Sequence, residues 1–165
     1  MKSRYHASVL RVLSWLARLG AYVLIGFGIF LGSEVADGLR TAQIAGFAAS
    51  GVLMALWAVA DFRDMPGLRT WSVGVLAVST GALCTLDHAS SFVGLAMLAV
   101  LDVTNQASVR TGWVVSAASV RAIEIGGLIT GFTISTLLGY PLLLFAGMLA
   151  GQNRRSHRIQ AEQRN

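Results

Sequence analysis

The sequence predicts an all-α, polytopic membrane helix bundle of six transmembrane helices with a short cytoplasmic helical tail. Three observations point there. Of 165 residues, 55% are hydrophobic and 13% charged, against about 25% charged in an ordinary soluble domain. The apolar residues gather in six runs, each close to the ~20 residues that cross a hydrocarbon core. The basic residues sit at the ends of those runs rather than along a polar face with interleaved aromatics, so a net charge of +5 reads as membrane topology and not as a nucleic-acid surface.

The first run, 13–32, follows a basic start with Lys2, Arg4 and Arg11. It is long, and no clear small-x-small site follows Gly32, so it is expected to be a retained anchor and not a cleaved signal peptide. Arg18 inside it has a stem long enough to reach back to the surface. The second run covers 41–60 and the third 70–86, with Pro66 and Gly67 marking the inner loop between them. The fourth, 90–106, is shorter; its Asp102, followed by Thr104, Asn105 and Gln106, reads as the wet inner end of a span. The fifth, 112–128, carries Arg121 and Glu124, and the sixth, 133–151, feeds the tail 152–165. The turn between the last two is expected around Gly126, Gly127 and Gly131. A five-span alternative lays residues 112–126 in the interface.

Lysine and arginine orient the bundle. With six spans, eleven of the thirteen fall on the cytoplasmic side, Arg40 falls in an outer loop and Arg121 inside a span. Both termini are then cytoplasmic, in an inner membrane. Five spans would place one basic terminus outside. The outer loops, 33–40, 87–89 and a few residues near Thr130, are too short to build a folded domain. A stimulus would therefore arrive through the membrane, its surface, or a small ligand between helices.

Several residues inside or beside the spans are candidates for function. Arg121 and Glu124, three apart, share a helix face and can pair; the pair is either a polar switch facing the interior or a structural ion pair near the outer surface. Asp102 is the third candidate intramembrane polar group. Glycines four apart, Gly28 with Gly32, Gly127 with Gly131 and Gly147 with Gly151, permit close helix approach. The last pair, next to the tail, is a candidate dimer contact. Arg154, Arg155 and Arg158 anchor the tail on the cytoplasmic side. After Pro141 only isolated glycines interrupt the helical pattern, so one rod is expected to leave the bilayer. Trp15, Trp57, Trp71 and Trp113 all stand near inner ends, where indole favours the headgroup layer.

Other features point to structure. The one cysteine, Cys84, reads as a small buried filler. Asp87 and His88 are too few ligands for a metal and read as a polar turn. There is no Gly-rich phosphate loop, no His-Glu-x-x-His pair and no Gly-x-Ser-x-Gly elbow. No catalytic, cofactor or metal site is expected.

One segment resembles a known family. Residues 120–163, with Ala-Ile-Glu-Ile-Gly-Gly, Leu-Gly-Tyr-Pro-Leu-Leu-Leu and Gly-Gln-Asn-Arg-Arg-Ser-His-Arg-Ile-Gln-Ala-Glu-Gln, resemble the end of the membrane region of actinobacterial two-component sensor histidine kinases. The second run, 41–60, is similar to that family too. The resemblance implies a sensor input module in which Asn153-Arg154-Arg155 and the residues after it begin a dimerisation helix. It also implies a homodimer, with a response regulator reached only through a kinase core that this chain lacks. His157 stands too close to the membrane, without an acidic neighbour, to take the phosphoacceptor role. The expectation is a membrane input module as a truncated gene product, a fragment or a stand-alone relative. The competing classes are a small transporter or channel component using Arg121, Glu124 and Asp102, and an inert remnant of a kinase gene.

Overall fold

The computed structural model describes residues 2–31, 37–86, 91–131 and 134–163. These form six helices and, among the described residues, no strand: α1 Lys2–Leu31, α2 Asp37–Phe62, α3 Pro66–Leu83, α4 Ser91–Gln106, α5 Val109–Thr130 and α6 Ile134–Gln163. Each helix covers one apolar run of the sequence. Two segments, Arg40–Phe62 and Val109–Thr130, are long and apolar enough to cross a membrane; Phe92–Gln106 is apolar but shorter.

The breaks between helices have local causes. Past Phe62, Met65 N–H bonds back to Ala60 C=O at 2.8 Å while Asp64 takes a left-handed φ of 51°. This is the glycine-type helix stop, built here on an aspartate. Pro66 then opens α3, where its missing N–H costs nothing. Ser108 caps α5 by accepting from Thr111 N–H at 3.0 Å. At the other end α5 runs through Gly126 and Gly127 and stops at Gly131, whose φ of 76° suits glycine. The α5–α6 boundary thus falls at the last of the three glycines expected there.

α3 and α4 form the centre. α3 packs against α2, α4 and α5, whereas α4 packs against α3, α5 and α6; α1 touches only α2 and α4 among the described residues. Trp57, Leu76, Phe92, Leu95, Ile123, Leu144 and Met148 fill the interior without exposed surface. α5 lies alongside α3, with Gly81 facing the Ser119 carbonyl. It is a member of the bundle, packed against α3, α4 and α6. α6 is one helix through Pro141 to Gln163, as the uninterrupted pattern after Pro141 predicted.

The outer faces are apolar rather than polar. Leu24, Leu128, Ile129 and Leu142 are each at least two-thirds exposed, where a helix of a soluble bundle would carry charge.

Candidate functional site

The most concentrated chemistry lies at one end of the bundle, where α2 finishes, α3 begins and α4 finishes. Asp61 is one residue from the end of α2, Arg69 is in the first turn of α3, and Asp102 is in the last turns of α4. The Arg69 guanidinium pairs with Asp61 through Nη1 and with Asp102 through Nη2 at 3.1 Å and Nε at 3.3 Å. Arg18 of α1 reaches the same Asp102 through Nη2 at 3.0 Å. Gln106 Nε2 donates to Asp102 Oδ1 at 3.2 Å, and Trp15 Nε1 donates to Asp61 Oδ2 at 2.7 Å.

Two carboxylates and two guanidiniums therefore neutralise one another while nearly withdrawn from solvent, with side-chain exposures of 9%, 4%, 16% and 16% for Asp61, Asp102, Arg18 and Arg69. Isolated charges at that burial would be prohibitive; a closed, hydrogen-bonded quartet is not. Aromatics complete the enclosure. The Arg18 guanidinium lies 4.2 Å from the Trp57 ring centroid and 4.8 Å from that of Trp15. The two indoles meet edge to face at 5.2 Å. Each cation thus has an anion on one side, and Arg18 has a π face on the other.

Chemically this is a latch of mutually paired charges. Both oxygens of each carboxylate are engaged. Among the described residues no three His, Cys, Asp or Glu side chains come together to hold a metal ion.

The structure corrects several sequence expectations. Asp102 is not a wet helix end: it is 3% exposed and holds two arginines. Arg18 does not reach outward to the surface but inward to Asp102. Arg121 and Glu124 do pair, at 2.8 Å, yet on the outside of the bundle, 79% and 41% exposed, and not as a switch facing the interior. Gly147 and Gly151 are spent on an internal contact: a Cβ on Gly147 would stand 3.0 Å from the Met97 carbonyl, and one on Gly151 would stand 2.9 Å from Thr104 Cβ. α4 fills the face that the glycine spacing suggested for a second copy. Trp57 is wholly buried, unlike Trp71 and Trp113, which are at least half exposed.

Other expected positions divide. Arg155 donates to the Ala107 carbonyl at 2.8 Å, tying the tail to the α4–α5 turn. Arg158 pairs loosely with Glu162 at 3.7 Å, and Arg154 and His157 are exposed. Cys84 is buried, as a filler would be. Gly32, Asp87 and His88 lie outside the described residues.

Sequence reasoning missed Asp61 and Arg69 as members of a site. Asp61 stands one residue beyond the second apolar run, and Arg69 was absorbed into the count of cytoplasmic charge. The available signal was that Arg18 and Asp102, opposite charges inside different runs, both approach the inner side of the map. In comparisons with known proteins no family model, curated protein or solved structure matches this chain.

Proposed function

We propose that the chain is a membrane-embedded input module of six spans with both termini in the cytoplasm. In this reading α6 carries a change within the bundle to a cytoplasmic signalling helix. The carrying observation is α6 itself, one helix from Ile134 to Gln163 that begins among exposed apolar side chains such as Leu138 and Leu142 and ends among arginines. It is seated on α4 through Gly147 and Gly151, and α4 is tied through Asp102 to α1 and α3. A shift of α1 or α3 against α4 therefore has a packed route to the tail. The apolar outer faces of α1, α2, α5 and α6 support embedding of the whole bundle. The resemblance of residues 120–163 to sensor histidine kinases makes the kinase dimerisation helix the proposed recipient, in a homodimer.

The test joins topology to assembly. A cytoplasm-active reporter fused after Asn165 is expected to be active, and Ile159→Cys in native membranes, at a 41% exposed position, is expected to give disulfide-linked dimers. A reporter on the outer face, or a strictly monomeric Ile159→Cys chain, removes this reading.

A further inference from the structure

Beside the buried quartet lies a second feature that the latch does not use. A cleft of about 360 Å³ opens between α1, α2, α3, α4 and α6, lined by Arg11, Ser14, Arg18, Asp61, Arg69 and Gln106 together with Arg158 of the tail. This volume falls within the ~300–1,000 Å³ range of small-ligand sites. Its lining is mostly donor groups. Asp61 is the one acid in it, and both Asp61 oxygens are already held, by Arg69 and by Trp15.

The two rim arginines are under-used. Among the described residues Arg11 makes a 3.4 Å contact to the Asp61 carbonyl and stands 3.9 Å from Asp64, which is 83% exposed. Arg158 stands 3.7 Å from Glu162, 69% exposed. Solvent-facing pairs at such distances contribute little, so both guanidiniums retain donors for a better acceptor. Guanidinium forks from α1 and from the α6 tail, lining one cleft with the Ser14 hydroxyl, suit a tetrahedral oxyanion.

We propose that this cleft binds a phosphate-bearing anion, either the headgroup of an acidic lipid or a free phosphate. It would bridge Arg11 on α1 to Arg158 on the α6 tail over the floor formed by Arg18 and Arg69. The site holds whatever lies downstream of α6, because it depends only on side chains at this end of the bundle. A bound anion would join α1 to α6, two helices that make no direct packing contact among the described residues.

The experiment uses the full chain purified in dodecyl maltoside and follows its thermal unfolding midpoint against dihexanoyl phosphatidate, dihexanoyl phosphatidylcholine and inorganic phosphate. Phosphatidate is expected to raise the midpoint in a saturable way and phosphatidylcholine is not. Arg11→Gln with Arg158→Gln is expected to weaken the apparent affinity about tenfold or more, the equivalent of losing one or two charge-assisted hydrogen bonds. Stabilisation by inorganic phosphate at comparable concentration identifies a free anion as the source; stabilisation by phosphatidate alone identifies a lipid headgroup. Arg158→Gln by itself, on the part of α6 beyond Gly151, provides the same reading should the double variant fail to fold. No stabilisation by either phosphate probe, or a variant that responds as the wild type does, overturns the proposal.

Discussion

Arg69 and Asp102 bind α3 to α4 with two nitrogens of one guanidinium on one carboxylate, and the third nitrogen of Arg69 takes Asp61 from α2. One side chain thus fastens three helices, and Arg18 adds the fourth through the same Asp102. Removing Asp102 leaves the buried Arg18 without its anion, and removing Arg69 leaves the buried Asp61 without its cation.

Asp102→Asn is expected to destabilise the bundle by roughly 3–5 kcal/mol, because Arg18 and Arg69 would lose their shared anion while remaining enclosed. Glu124→Gln removes an exposed pair and is expected to cost less than about 1 kcal/mol. Unfolding by denaturing detergent, followed by circular dichroism, distinguishes them. Equal losses would mean that the quartet contributes no more than the surface pair.

Gly147→Val is expected to cost roughly 1–3 kcal/mol or more, since its first added carbon already meets the Met97 carbonyl at 3.0 Å, a backbone atom that cannot turn aside. Gly139→Ala in the same helix meets nothing within 4 Å. It is expected to be neutral or to stabilise by up to about 1 kcal/mol through helix propensity. Thermal midpoints of the two variants check the contrast.

The two left-handed positions among the described residues predict opposite signs. Asp64→Gly relieves a non-glycine φ of 51° and is expected to stabilise by roughly 0.5–1 kcal/mol. Gly131→Ala imposes a side chain at φ 76°, where nothing stands within 4 Å to clash, and is expected to destabilise by about 1 kcal/mol on backbone grounds alone. The same unfolding measurement reads both.

The helices were legible because each is an apolar run, and two of the breaks carry a local device the sequence displays, Pro66 at the start of α3 and Gly131 at the end of α5. Such devices act within a few residues, and sequence displays them directly. Which helices become neighbours is decided by tertiary packing, which one chain's periodicity does not encode. Nothing in the pattern around Gly147 distinguishes a neighbour within the chain from a neighbour in another copy, and packing awarded that face to α4. The quartet was hidden for the same reason. Asp61, Arg69, Asp102 and Arg18 come from four different helices, and each has an innocent local explanation as a loop or topology charge. Only the juxtaposition of helix ends makes them one unit.

The length of α6 past its last seat has a mechanical consequence. From Arg155, whose guanidinium holds the Ala107 carbonyl, the helix continues eight residues to Gln163, about 12 Å at the usual rise. A tilt of about 5° pivoting there would sweep the far tip sideways by about 1 Å on that arm length. The fulcrum thus magnifies rearrangements too small to disturb the packed interior.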